Sequence, residues 1–133
     1  MRIERKFDEK VVEDIARKCG SKSVRQSIAW LRRAHYNNPD KFVCEILDGV
    51  AFWAADICKT HMRLYEIAVR EDIQRGGYGR AMMVRMFKTC KANKLNRITF
   101  RTAKDETALE FYKKFGAIVV GDKGEDWEVE IRL

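Results

Sequence analysis

The stretch Leu64-Tyr65-Glu66-Ile67-Ala68-Val69, followed by Gln74-Arg75-Gly76-Gly77-Tyr78-Gly79 and an amphipathic run to Cys90, decides how this chain is read. The first six residues have the composition of a strand, and the run after the glycines has helical periodicity. Three glycines in four residues let the backbone reach φ > 0 and approach a ligand closely. The helix behind them directs unpaired N–H groups at the same place. A strand, a glycine turn and a helix in that order form an anion cradle.

The charge pattern agrees. The 133 residues carry a net +7, and Arg70 to Lys104 alone holds ten Lys or Arg against Glu71 and Asp72, a net +8. The basic field therefore belongs to the cradle and would draw an anion there. A phosphorylated cofactor and a nucleic acid both fit that description, but no groove-reading motif accompanies the charge, so nucleic acid is an unfavoured partner. The length suits one domain spanning residues 1–133, and 46% hydrophobic content is ordinary for a globular core. The charged start, Met1-Arg2-Ile3-Glu4-Arg5-Lys6, and the lack of a long apolar run predict a cytoplasmic protein with no membrane partner. Cys19, Cys44, Cys58 and Cys90 are widely spaced within apolar patterns, with His35 and His61 the available co-ligands, which reads as buried reduced thiols and no metal.

Around the cradle, the pattern predicts a short strand at 2–6 and a helix burying Val11, Val12, Ile15, Ala16 and Cys19. A second helix, capped by Ser21 or Ser23 and closed by Asn37-Asn38-Pro39, carries Val24, Ile28, Leu31 and Ala34. Trp30 and Tyr36 read as packing residues, with a substrate pocket as the alternative. Strands at 42–47 and 50–57 flank Asp48-Gly49, which predicts a two-residue hairpin turn. His61 falls in the turn before the Leu64 strand. In the helix from about Gly79 to Ala92, Met83, Met86, Phe87 and Cys90 face inward, and Arg85, Lys88 and Lys91 face solvent. A strand at 97–101 then runs parallel to the Leu64 strand. Asp105 caps a helix carrying Ala108, Leu109, Phe111, Tyr112 and Phe115, and a hairpin around Gly121-Asp122-Lys123-Gly124 ends the sheet.

Spacing excludes two phosphate loops. A Walker loop needs Lys and Ser or Thr after its last glycine, where this chain has Arg80-Ala81. The dinucleotide fingerprint needs a small third residue where Met82 stands, and an acid after the next strand where Arg101 stands. What remains, Gln74-x-x-Gly77-x-Gly79 between strand and helix, resembles the signature of the Gcn5-related N-acetyltransferases (GNAT), Arg/Gln-x-x-Gly-x-Gly/Ala. The later run Asp105-Glu106-Thr107-Ala108-Leu109-Glu110-Phe111-Tyr112-Lys113-Lys114-Phe115-Gly116-Ala117 resembles that family's Asn-x-x-Ala-x-x-Phe-Tyr-x-x-x-Gly-Phe segment. Asp105 and Ala117 depart from it, the first by adding a negative charge near the expected cofactor arm and the second by removing a ring.

The resemblance covers nearly the whole chain. It implies an α+β, three-layer fold: a mixed, mostly antiparallel sheet of six to seven strands with helices on both faces. It also implies an acyltransferase that moves an acetyl group from acetyl-CoA to a primary amine, either a small molecule or a peptide or protein amine, by direct attack in a ternary complex. The pyrophosphate would sit on backbone N–H groups of Arg75, Gly76, Gly77, Gly79 and Arg80, within a loop that includes Gln74 and Tyr78. The pantetheine arm would lie along Ile67, Ala68 and Val69, with Asp105 and Tyr112 also near the cofactor and an oxyanion donor near Val69. An amine must lose a proton before it attacks, so a base is needed: Glu66 first, Glu71 second. Tyr112 matches the family's general acid toward the leaving thiolate. A non-catalytic acyl-CoA-binding module and, less favoured, a basic nucleic-acid-binding domain are the alternatives. The chain could act as a monomer or a homodimer. Substrate selection falls to residues 23–39 and 121–126, where the acidic Glu125-Asp126-Trp127-Glu128 run reads as a solvated hairpin or, alternatively, as an attractor of cationic acceptors.

Overall fold

The computed structural model describes the backbone of residues 1–133 and the side chains of all but Lys22 and Ser23. The elements in chain order are β1 (Ile3–Arg5), α1 (Glu9–Lys18), α2 (Lys22–Asn37), β2 (Phe42–Leu47), β3 (Ala51–Ile57), β4 (His61–Val69), α3 (Tyr78–Ala92), β5 (Arg97–Ala103), α4 (Glu106–Lys113), β6 (Ala117–Lys123) and β7 (Asp126–Arg132), with a 3-10 turn at Glu71–Ile73. Seven strands form one sheet in the order β1-β2-β3-β4-β5-β7-β6. Every neighbouring pair is antiparallel except β4–β5, where the α3 crossover makes the pair parallel. Among the described residues no helix is long and apolar enough to cross a membrane.

Local chemistry explains most boundaries. Asp8, Ser21 and Asp105 cap α1, α2 and α4 by accepting from the N–H groups of Val11, Val24 and Thr107. Ser21 is thus the cap of α2, while the side chain of Ser23 lies outside the described residues. Asp48 and Gly49 both have positive φ, 51° and 68°, as the hairpin requires. The pairing of Leu47 with Ala51 leaves three residues between the strands, rather than the two expected. At the C-terminal hairpin the turn is tighter than expected: Gly121, Asp122 and Lys123 belong to β6, past a bulge at Val119/Gly121, and only Gly124 and Glu125 separate the strands.

Two cores sandwich the sheet. Val12, Ile15, Leu31, Phe42, Ile46 and Phe52 pack beneath α1 and α2. Trp53, Met62, Met82, Met83, Met86, Ile98, Phe100 and Ile131 pack beneath α3 and α4, with Ala117 occupying the place of the expected ring. Each such apolar side chain contributes about 1.5–3 kcal/mol when fully removed from water. Trp30 and Tyr36, expected to pack, are instead 64% and 73% exposed, because the apolar stripe of α2 runs through Val24, Ile28, Leu31 and Ala34 on the other side. Among the cysteines, Cys19, Cys44 and Cys90 are buried and Cys58 is half-buried, all as free thiols.

Arg85 corrects the expected solvated face of α3. Its guanidinium donates to the fully buried carboxylate of Glu45 at 2.7 and 3.0 Å, beside Arg5 at 3.1 Å and the Trp53 indole at 3.1 Å. Burial alone would push the Glu45 carboxyl up; Arg85 and Arg5 outweigh it and hold the group below the usual carboxylate range. The network fastens α3, the helix behind the glycine turn, to β1, β2 and β3.

Candidate active site

β4 and β5 pair only through His61–Arg63 and Arg97–Thr99. Beyond those three residues each the strands part, leaving the edge of β4 from Leu64 onward without a strand partner on that side. The cleft so formed, about 390 Å³, is lined by Leu64, Glu66 and Ile67 from β4, Phe100 and Arg101 from β5, the α4 cap Asp105, and Tyr112 from α4.

A bulge in β4 sets what faces the cleft. Against β3, Ala54 pairs with Glu66 and Ala55 with Leu64, so Tyr65 is the extra residue. Met62 and Leu64 enter the core under α3; beyond the bulge Ile67 and Val69 do so, and Ala68 enters the opposite core. The strand thereby changes parity, and Glu66 falls on the side of α1 and α2. Burial there pushes its carboxyl up to about 7, while the Ile67 N–H, 3.3 Å away, and the Ser27 hydroxyl act in the opposite direction. A carboxylate half-ionised near neutrality is matched to accepting a proton at that pH.

Tyr112 stands across from it. The residue is 8% exposed, its ring tilted against Phe100 at 4.5 Å and edge-on to Phe111 at 5.2 Å, and its hydroxyl has no hydrogen-bond partner among the described residues. Burial raises its pKa and the Glu66 carboxylate raises it further, so the phenol keeps its proton. Glu71, the second candidate base, is not brought to this cleft: its carboxyl lies against Gly20, and it lines a separate hollow with Lys18, Arg70 and Asp72.

The glycine turn closes the other end. Gly77 adopts φ +82°, and no side chain caps α3, in contrast to α1, α2 and α4. Among the described residues the N–H groups of Gly77, Tyr78, Gly79 and Arg80 meet no acceptor, the first helical bond being Ala81 N–H to Gly77. The Gly76 N–H, by contrast, is used within the turn, donating to Ile73 at 3.0 Å. At Gly79 a Cβ would lie 3.0 Å from the Phe111 ring, so the small residue lets α3 and α4 meet beside Tyr112. Two side chains of the motif are struts: Gln74 donates to the carbonyls of Cys19 (2.9 Å) and Val69 (3.3 Å), and the Tyr78 hydroxyl donates to Asp48 (2.8 Å). Ala68 is buried beneath α1 and α2, so only its backbone borders the open edge of β4. Arg75 and Arg80 are exposed and, among the described residues, without an acidic partner.

A sequence model of the acetyltransferase (GNAT) domain matches residues 37–116, more than half of the chain. The chain belongs to the GNAT acetyltransferase family. No curated protein matches it by sequence. Among solved structures, Ard1 from Thermoplasma volcanium superposes with a TM-score of 0.80 at 22% identity, covering 99% of this chain and 97% of that one. The PaiA N-acetyltransferase of Thermoplasma acidophilum in complex with coenzyme A gives 0.76 at 16% identity over 100% of both chains. The ribosomal-protein-S18-alanine N-acetyltransferase of Escherichia coli gives 0.77 at 17% identity, covering 98% and 92%. At such identities these likenesses establish the fold alone; membership of the GNAT acetyltransferase family rests on the domain match.

Two contributions to this GNAT site escaped the sequence. The role of the Gln74 amide as a tie between β4 and α1 has no local signal, since its acceptor Cys19 is distant in sequence. Tyr65 lies in a strand whose parity sequence alternation alone did not resolve, and Arg63 and Arg101, which join it along the adjoining cavity, come from separate segments with no local signal linking them.

Proposed function

We propose that this protein transfers an acetyl group from acetyl-CoA to a primary amine by direct attack within a ternary complex. The observation that carries the reading is the meeting of Glu66 and Tyr112 on opposite walls of one cleft, where the β4–β5 pairing stops. Acetyl-CoA supplies an activated thioester. The N–H groups of Arg75, Gly77, Gly79 and Arg80 bind its pyrophosphate, supported by the uncapped start of α3 and by the basic field from Arg70 to Lys104. The unpaired edge of β4 at Ile67 to Val69 accepts the pantetheine arm as an added strand would be accepted.

Glu66, with its carboxyl near 7, takes the proton that an alkylammonium must lose before it is a nucleophile. A backbone N–H near Val69 faces the developing oxyanion. Tyr112, held protonated by burial, directs its hydroxyl at the leaving thiolate, stabilising it by a hydrogen bond as general acid. Calorimetric titration with acetyl-CoA, followed by a thiol-release assay over a panel of amines, tests the proposal. Binding with release from at least one primary amine is expected. Failure to bind acetyl-CoA would overturn the whole reading, and binding without release from any amine would overturn the Glu66–Tyr112 chemistry.

A further inference from the structure

The face of the sheet opposite α3 and α4 is only partly covered. α1 and α2 pack on β2, β3 and β4, and beyond them β5 and β7 present polar side chains to solvent. Here a second cavity of about 460 Å³ opens directly from the acetyl-transfer cleft, sharing Leu64, Tyr65, Phe100 and Arg101 with it. A third hollow, about 360 Å³, continues outward between Arg63 and Tyr65 on β4 and Trp30 and Arg33 on α2. Together they form a trough of a size that accepts small organic molecules.

Three arginines from three elements line this trough: Arg33, Arg63 and Arg101. All are exposed, and among the described residues none has a carboxylate within ion-pair distance. Arg33 and Arg63 lie over aromatic rings, at 5.0 Å from Trp30 and 5.8 Å from Tyr65, which positions the guanidinium planes without neutralising them. Arg101 faces Glu128 across the β5–β7 ladder, yet Glu128 pairs with Lys123 at 3.6 Å. Glu128 itself lines the second cavity, and the remaining acids nearby have their own places. Asp56 is buried and accepts from the Tyr65 hydroxyl, whereas Glu66, Asp105 and Asp126 line the inner cleft. His61, also on the trough, is disfavoured as a cation by burial and by the neighbouring Arg97 and Arg63. Arg101 thus stands at the junction, lining both the inner cleft with Glu66, Asp105 and Asp126 and the second cavity with Glu128, while Arg63 and Arg33 continue the path outward beyond the carboxylates.

Resting on the acetyltransferase reading above, we infer that the acceptor is an amine bearing a carboxylate, its ammonium end drawn to the Glu66 side and its carboxylate held by Arg101 and Arg63. This reverses the cationic-acceptor alternative suggested by the Glu125 to Glu128 run, because the tertiary structure turns three arginines onto the path. A free amino carboxylate and an acidic peptide with a free amino terminus offer the same chemistry. Guanidinium groups bind carboxylate through paired, charge-assisted hydrogen bonds, which favours either over a neutral isostere.

The test uses δ-aminovalerate, its amide and cadaverine, which share chain length and differ in far-end charge, alongside a short acidic peptide and its neutral counterpart. With the wild-type protein, kcat/KM for the anionic member of a set should exceed that for the neutral member by about tenfold or more, and the diamine should be poorest. The ratio is measured within one preparation, so the fraction of folded enzyme cancels. Arg101→Gln should bring the ratio toward one, Arg101→Lys should keep part of it, and raised salt should lower it in the wild type. A preference confined to the peptide pair would assign the carboxylate to a peptide; one present with δ-aminovalerate would assign it to a small molecule. Calorimetry of the same compounds on CoA-saturated protein gives a second readout that needs no turnover. Equal use and equal binding of charged and neutral members in both sets, or no binding by any of them, would overturn the inference. Loss of acetyl-CoA binding would instead overturn the reading on which it rests.

Discussion

Replacing Glu66 by Gln separates the catalytic and structural consequences of one buried carboxylate. Burial raises this carboxyl from 4.5 to about 7 in the folded chain. A carboxyl raised on folding favours the folded state while it is protonated, so its contribution is intact below the unfolded value and is lost as pH rises through the folded value. The window runs from about pH 4.5 to just above 7, and at about 1.4 kcal/mol for each pH unit crossed the loss is at most about 3 kcal/mol. Glu66→Gln removes that titration. In urea unfolding, the variant should gain on the wild type by about 2–3 kcal/mol between pH 4.5 and pH 8.5. Over the same range kcat should fall by about a hundredfold or more, and the rise of kcat/KM with pH near 7 should flatten. A variant that retained both the wild-type rate and its acid limb would refute Glu66 as the base. A stability difference independent of pH would refute the buried-carboxylate account.

Tyr112→Phe should lower kcat by about a hundredfold while changing unfolding free energy by less than about 0.5 kcal/mol, because the hydroxyl has no internal partner to lose; steady-state kinetics and urea unfolding check the two halves. Gly77→Ala forces a Cβ into φ +82° and should cost about 1–2 kcal/mol, with a matching loss of acetyl-CoA affinity in calorimetry as the turn relaxes. Glu45→Ala leaves Arg5 and Arg85 without their shared carboxylate; both are partly exposed, so the loss should sit near the low end for a broken buried pair, about 3 kcal/mol by urea unfolding.

What the sequence determined by itself was local. The caps at Ser21, one of two candidates, and at Asp105, the helical stripe of α1 and the glycine turn between strand and helix all depend on residues a few positions apart and appear where the pattern predicts, while the turn at Asp48-Gly49 takes one residue more than expected. The Phe111-Tyr112 helix was legible for the same reason, and its order after the glycine turn was enough to indicate the family. Sequence alternation could not say which face of β4 carries Glu66, because the bulge at Tyr65 is defined by pairing with β3 and not by β4 alone. Arg85 read as solvated because its partner Glu45 lies forty residues away.

The same distinction governs the proposed acceptor path. Arg33, Arg63 and Arg101 are unremarkable charges in three separate segments, and only the packing of α2 over β4 and the parting of β4 from β5 bring them to one trough. Short-range conformational preference specifies where the chain turns, caps and coils. Which charges meet, which are left unpaired and how far a carboxyl is removed from water depend on distant segments brought together, and these decided the chemistry of the cleft.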